Sequence, residues 1–211
     1  MATFKVQIEN LVGSVGDDDA LTQWLTDGAK EILRVLPPEL KENCMTISEI
    51  TSSSGLANID TKGEIVAVTR TDSSGGTIQT CRPIPTWAYG RAVDTSSLLY
   101  FGTVSDPVYY IYNNSLRVKP DPDSSGQEAV VHHLVAPSVA HGDGDSGIAG
   151  FPDEAEHLVV LYASIKAAER LLAVEEDVEL YGPLINTLKQ SYTSGLQSLG
   201  VGVKQPQQGA R

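Results

Sequence analysis

Residues 151–199 read FPDEAEHLVVLYASIKAAERLLAVEED and then VELYGPLINTLKQSYTSGLQSL, and their periodicity predicts two helices. The first begins with Pro152 and three acids within the next four residues. This suits a helix N-terminus, because proline needs no N–H there and acids favour the positive end of the helix dipole. Apolar residues three and four positions apart then form a face wider than a surface helix needs: Leu158, Leu161, Tyr162, Ile165, Ala168 and Leu172.

The second part of this stretch repeats the spacing from Leu184 to Leu199. Asp177 is placed as an N-cap, and Pro183 lies close enough to the helix start to be tolerated. The stretch therefore predicts an antiparallel helical pair joined by a short acidic turn. Neither helix carries a set of side chains typical of catalysis, which favours a scaffold and an assembly surface.

Two more helices are predicted near the N-terminus. Residues 3–12 fit both a helical stripe and strand alternation, and we favour a short helix that ends at Gly13. Three aspartates at 17–19 begin a longer helix, which the prolines at 37–38 end. Gly28 in its middle costs about 1 kcal/mol relative to alanine, which predicts a close contact with another backbone.

Residues 44–137 alternate short β-forming runs with turn signals. The sharpest signal is VYYIYNNSLRVKP, where two runs meet across Asn113-Asn114, because asparagine tolerates the positive φ of a two-residue turn. A second hairpin is predicted around DSSGG (72–76), and LLYFGTV (98–104) is predicted as a strand.

This order of elements predicts an α+β fold, a helical bundle formed by N- and C-terminal helices with an inserted antiparallel β-domain that is sandwich or barrel-like. The expected parts are 1–43 for the first part of the bundle, 44–137 for the β-domain, 138–150 for a flexible linker, 151–199 for the helical hairpin and 200–211 for an extended tail.

Composition restricts the possible functions. The net charge is -12 and the excess acid is spread along the chain, so the basic cluster that phosphate binding needs is missing. No apolar run approaches the roughly 20 residues of a membrane span, and the N-terminus lacks the apolar core of a signal peptide, so we expect a cytoplasmic protein without a membrane partner. Cys44 and Cys81 fit no disulfide framework and are expected to be buried.

Three patterns suggest chemistry but fit it poorly. GDSG at 144–147 matches part of the nucleophile loop of chymotrypsin-like proteases, yet suitable histidine and aspartate partners are missing. Asp143, Asp145 and Glu154 mimic an EF-hand loop whose fifth and sixth positions are unsuitable for calcium. His132-His133 on a strand point to opposite faces, so we expect one to be packed and one to face solvent. We expect no catalytic, cofactor or metal site.

The aromatic residues of the β region favour a core or a subunit interface. A stacking platform for single-stranded nucleic acid is the alternative, but no basic groove accompanies it. The residues concerned are Tyr100, Phe101, Tyr109, Tyr110 and Tyr112.

Three stretches resemble the head-to-tail adaptor (connector) proteins of tailed bacteriophages, particularly the short-tailed type. They are ALTQWLTDGAKEILRVLP (20–37), DPVYYIYNNSLRVKPDP (106–122) and FPDEAEHLVVLYASIKAAERLL (151–172). The resemblance implies a non-enzymatic structural protein of the virion neck, assembled in the host cytoplasm. It would form a ring, commonly a dodecamer, between the portal protein and the tail or nozzle proteins, and DNA would pass through it. Another neck ring component, a terminator or stopper, is the alternative, and a small hydrolase that uses GDSG is a further one.

Two groups of site residues are expected under this resemblance. An oligomer or portal interface is expected at Trp24, Gly28, Tyr162, Lys166, Tyr192, Lys204 and Arg211. An acidic channel lining, which would repel DNA phosphates, is expected at Asp17, Asp18, Asp19, Glu175, Glu176, Asp177 and Glu179. A solvated helix cap and turn explain these acids equally well.

Overall fold

The computed structural model describes residues 2–72, 76–123, 126–144 and 147–200. The chain divides into two compact units, Met1–Cys44 with Ala136–Arg211, and Met45–Val135. The first unit is helical and the second is built from strands, which confirms the predicted α+β class. Within the described residues, no helix has both the length and the apolar character needed to cross a bilayer.

The helical unit begins with three helices. They are α1 (Phe4–Val12), α2 (Asp18–Val35) and the single turn α3 (Pro38–Lys41). Thr3 caps α1, and the helix ends where the Gly13 N–H donates to the Glu9 carbonyl at a φ of 91°. The helical prediction for residues 3–12 is therefore confirmed, because the Phe4, Ile8 and Val12 stripe is the one that is buried.

The C-terminal pair consists of α4 (Asp153–Glu175) and α5 (Val178–Ser198). Between them, Glu176 adopts a left-handed conformation with φ 57°, and Asp177 Oδ1 accepts a hydrogen bond from the Leu180 N–H at 3.0 Å. Pro183 lies inside α5, in its second turn. Both helices match the prediction from the sequence.

Helix α4 is the central element of its unit, because α1, α2 and α5 all pack against it. Its buried residues therefore lie on several sides: Ala155, Leu158, Val159, Val160, Ala163, Ser164, Ile165, Ala167 and Ala168. Many of these side chains are small, which lets neighbouring helices approach closely. The wide apolar face noted in the sequence is thus largely covered within the chain.

The second unit contains two four-stranded sheets. Sheet A has the order β1-β8-β3-β4 and sheet B the order β2-β7-β6-β5. The strands are β1 (Met45–Ile50), β2 (Leu56–Ala57), β3 (Glu64–Thr71), β4 (Ile78–Thr80), β5 (Arg82–Pro83), β6 (Val108–Tyr112), β7 (Ser115–Lys119) and β8 (Ala129–Leu134). All strand pairs are antiparallel, as predicted for this domain, except the short pair β5–β6, which is parallel.

The two sheets share one apolar core, as in a sandwich. Val68 and Val131 of sheet A pack in the same cluster as Leu116 and Val118 of sheet B. Because side chains alternate along a strand, Tyr109 joins this core while its neighbour Tyr110 lies on the opposite face of sheet B.

The hairpin between β6 and β7 is formed as predicted. Asn113 and Asn114 have φ values of 49° and 55°, which is the left-handed region that a two-residue hairpin turn requires. The Asn114 side chain also exchanges two hydrogen bonds with Asp60: its Oδ1 accepts from the Asp60 N–H at 3.1 Å, and its Nδ2 donates to the Asp60 carboxylate at 2.8 Å.

The strand predicted at 98–104 is wrong. Residues 86–92 form a 3-10 helix, and the chain then turns through 93–100 without pairing to a strand. Leu98 is fully exposed, with a relative accessibility of 101%. The apolar run therefore reflects a surface and not a β-core.

Candidate functional site

The interface residues predicted on α2 and α4 meet in the helical unit. Gly28 is buried, and a Cβ built on it would lie 2.9 Å from Cδ1 of the Tyr162 ring. The glycine therefore makes room for a side chain, and the predicted contact with another backbone is wrong. The contact fixes the distance between α2 and α4.

The same cluster extends to α5 and along α4. The Tyr162 and Tyr192 ring centroids are 6.2 Å apart, and Lys166 Nζ lies 5.7 Å from the Tyr162 centroid. Further along α4, the Arg170 guanidinium lies 5.9 Å from the Trp24 ring. The five described interface candidates thus lie in one cluster on α2, α4 and α5, in which Gly28 is buried and the other four are half-buried: Trp24, Gly28, Tyr162, Lys166 and Tyr192. Lys204 and Arg211 lie outside the described residues.

Burial and ion pairs make this cluster rigid. Burial raises the pKa of both Tyr162 and Tyr192, so both phenols stay neutral at physiological pH. Glu169 bridges α4 and α5, because it accepts from Lys189 at 2.9 Å and lies 3.4 Å from Lys166. The hydrogen bond from Lys189 holds the pKa of Glu169 below its ordinary value.

The acids predicted to line a channel fall into two groups. In the first, Asp17 caps α2 through the Ala20 N–H and also accepts from Arg170 at 2.7 Å. Asp18 accepts from Lys5 at 2.7 Å, and Asp19 is exposed. The ion pairs offset much of the charge of this group.

The second group of acids lies at the turn between α4 and α5. Glu175 accepts from the Tyr181 hydroxyl at 2.9 Å and Asp177 caps α5, whereas Glu176 and Glu179 are exposed. None of the four forms an ion pair within the described residues. Because Arg170 is close to the end of α4 and contacts Asp17, the two groups lie at the same end of the unit.

The stretch predicted as a flexible linker is hydrogen-bonded to α1 and α2 where the structure describes it. The Phe4 N–H donates to the Asp143 carbonyl at 2.7 Å, and the Val139 N–H donates to Thr26 Oγ1 at 3.1 Å. His141 Nδ1 lies 3.1 Å from Thr22 Oγ1. These contacts place residues 139–143 against the N-terminal helices.

The patterns considered for chemistry lie only partly within the described residues. Asp145 and Ser146 of the GDSG loop lie outside the described residues, and the Asp143 carboxylate accepts from the Ala140 N–H at 2.8 Å. Across the described ranges, no three His, Cys, Asp or Glu side chains group as metal ligands would.

The paired histidines and the two cysteines are placed as predicted from the sequence. His133 is buried and bonded to Ser48 Oγ and the Lys62 carbonyl, both at 2.9 Å, while His132 is half-buried. Cys44 and Cys81 are buried and free. Three of these four side chains are therefore packed in the protein interior, and His132 is partly open to solvent.

A second surface was missed by the sequence reasoning. The 3-10 helix of 86–92 and the following turn expose Trp87, Val93, Leu98 and Leu99. Arg91 lies 5.9 Å from the Trp87 ring centroid. The exposed tryptophan inside an irregular, proline-flanked segment was the signal available in the sequence.

Comparison with known proteins gives one positive result. The model of a family described as SU10 adaptor protein matches residues 2–211. No curated protein matches the chain. The family match is consistent with the resemblance to phage head-to-tail adaptors, and the short-tailed type stays a prediction.

Proposed function

This chain belongs to the SU10 adaptor protein family, and from that premise we propose that it is a head-to-tail adaptor of a bacteriophage neck. It acts as a structural protein that joins the portal to the tail. The observation that carries the proposal is the family match over residues 2–211, which includes both the helical unit and the inserted strands.

By analogy with connectors, the adaptor forms a homo-oligomeric ring of twelve copies through which DNA passes. The charge supports passage without binding: the net charge is -12, and a negative surface repels the phosphate backbone. Because Asp17 and Asp18 are ion-paired, the acids best suited to a channel wall are Asp19, Glu176 and Glu179.

The cluster of Trp24, Tyr162 and Tyr192 supports assembly in a different way. Its rings are half-buried within the unit, so their exposed edges are held in fixed positions. Fixed aromatic edges suit a protein contact because little side-chain entropy is lost on binding. We assign this surface to a contact with the portal or a neighbouring copy.

The mass of the purified chain, measured by light scattering with and without its portal, tests this function. An adaptor assembles into a ring on the portal. A ring that forms on tail tube and not on portal would instead identify a terminator, and no assembly with either partner would overturn the proposal.

We propose further that the chain acts by assembly and not by catalysis. Ser146→Ala tests this, because a hydrolase that uses the GDSG loop would lose activity with this change. The expected result is unchanged production of infectious particles. Intact particles that have lost infectivity would favour the enzyme.

A further inference from the structure

The strand-built unit exposes apolar side chains on both outer faces of its sandwich. Face A, the outer face of sheet A, carries Ile47, Val66 and Ile78, which are 59%, 51% and 70% exposed. Ile47 lies on the edge strand β1, in register with His132 of the inner strand β8. Soluble domains seldom leave such apolar residues open on a regular sheet unless a partner covers them.

Face A is also acidic. Glu49 and Glu64 are exposed, and alternation places both on the outer side, since their neighbours Ile50 and Ile65 pack in the core. Neither carboxylate forms an ion pair with any described residue. Face A therefore combines exposed apolar side chains on β1, β3 and β4 with two carboxylates that pair with no described cation.

Face B lies on the other side of the sandwich. Tyr110 points away from the shared core and is covered by the 3-10 helix of 86–92, through a tilted contact with Tyr89 at 6.2 Å. The outer surface of this layer exposes Trp87 (68%), Leu98 and Leu99. Face B is defined here as Trp87, Tyr89, Arg91, Val93, Leu98 and Leu99.

Arg91 of face B and Arg117 of the neighbouring strand β7 form no salt bridge with a described carboxylate, although the charge of Arg91 helps to lower the pKa of Asp94. Arg91 lies over both the Trp87 and Tyr100 rings at 5.9 and 6.0 Å, and Arg117 lies over Tyr112 at 5.9 Å. Asp94, close to Arg91, is held by the Ser96 hydroxyl at 2.7 Å. The aromatic rings and two guanidiniums complement the exposed apolar side chains and the two carboxylates of face A.

We propose that face A of one copy of this chain packs against face B of the next copy. Two different, complementary surfaces of one unit form a heterologous contact, and repeated heterologous contacts close into a ring when the rotation from copy to copy returns to the first copy. This inference rests on the ring of the proposed function and names the contact that builds it.

Charge reversal in two chains tests the pairing. Arg91→Glu makes both faces acidic, and Glu49→Lys together with Glu64→Lys makes both basic, so each variant alone assembles poorly. Mixed in equal amounts, the two variants alternate, and every contact again joins opposite charges. Assembly restored only in the mixture supports the inference, whereas single variants that assemble like the unchanged chain would overturn it.

A disulfide trap gives a second readout that needs no stable ring. One chain carries Leu98→Cys and a separately tagged chain carries Ile47→Cys, and the native cysteines are buried. The mixed disulfide should form about tenfold more than with a matched control chain carrying Val6→Cys, an exposed position on α1. Equal yields would contradict the contact.

The two proposals fail in different ways. Rings on the portal without a mixed disulfide would leave the adaptor function standing and exclude this contact. A strong disulfide without any ring on portal or tail would retain the contact and exclude the function. Variants that self-assemble but no longer bind the portal would assign face B to the portal instead, which also overturns the inference.

Discussion

Arg170, near the end of α4, donates to Asp17 Oδ2 at 2.7 Å and so joins two residues 153 positions apart in the chain. The same carboxylate caps α2, through its other oxygen, by accepting from the Ala20 N–H at 3.0 Å. One side chain therefore both begins the longest N-terminal helix and attaches it to the C-terminal pair. This links the two halves of the helical unit across the inserted strands.

The Asp17 carboxylate predicts how stability depends on pH. The hydrogen bonds from Ala20 and then Arg170 hold its pKa below the ordinary value of 3.8. The unfolded chain therefore binds a proton more readily, so this contribution is present above the ordinary pKa and is lost as pH falls through the lower folded value. Asp17→Asn should keep the cap but remove this pH dependence, giving a smaller fall in Tm between about pH 5 and pH 3.

Asp19→Asn is the matched control for this measurement. Asp19 is exposed and forms no ion pair within the described residues. Its replacement should leave the slope of Tm against pH close to that of the unchanged chain. An identical slope for Asp17→Asn would show that folding does not lower the pKa of Asp17.

Gly28→Ala should destabilise the helical unit. The new methyl group would lie 2.9 Å from Cδ1 and 3.1 Å from Cγ of Tyr162, at the root of a ring that cannot swing away easily. The overpacking cost of about 1–3 kcal/mol should exceed the helix propensity gain of about 1 kcal/mol. Chemical denaturation should therefore show a lower free energy of unfolding.

Gly182→Ala in α5 separates sterics from propensity. The nearest atom to a Cβ at that position is Val178 Cγ1 at 3.9 Å, an ordinary contact. The gain of about 1 kcal/mol in helix propensity should be partly offset, because Gly182 precedes Pro183 and a proline ring disfavours a helical residue with a Cβ before it. A gain of the same size for Gly28→Ala would refute the close packing of α2 on Tyr162.

The β6–β7 hairpin predicts an order of stability among changes at Asn114. Both Asn114→Gly and Asn114→Ala remove the hydrogen bonds with Asp60, but only alanine places a Cβ at φ 55°. Left-handed backbone costs a residue with a Cβ about 1–2 kcal/mol, so alanine should lower the unfolding free energy by about that much more than glycine. Equal losses would mean that the turn relaxes to another conformation.

The elements that the sequence predicted are those that depend on local signals. The periodicity of 151–199 and the Asn113-Asn114 pair act within a few residues, and the structure has both. The run at 98–104 failed because apolar side chains alone do not distinguish a strand from an exposed surface. The parallel β5–β6 pair joins segments about 25 residues apart, so no pattern within a few residues could predict this pairing.

In the candidate site, too, local features could be predicted from the sequence, whereas contacts between distant segments could not. Gly28 was singled out correctly as a close approach, yet its partner Tyr162 lies on a helix far along the chain and could not be identified from spacing. Faces A and B were not predicted, because alternation indicates which side of a strand is exposed only once the pairing of the sheets is known.

Cys81 should be among the least reactive groups of the folded protein. Burial raises its pKa from 9.0 to about 12, and since the thiolate is the nucleophile, the reactive fraction at pH 8 falls by about a thousandfold. Burial also raises the pKa of Cys44, but less than that of Cys81, so Cys44 should react with iodoacetamide before Cys81. Mass spectrometry of Cys44→Ser and Cys81→Ser variants at pH 8 measures each thiol separately. Both should react at the same rapid rate in denaturant, and rapid reaction of Cys81 in the native protein would contradict its place in the core of the sandwich.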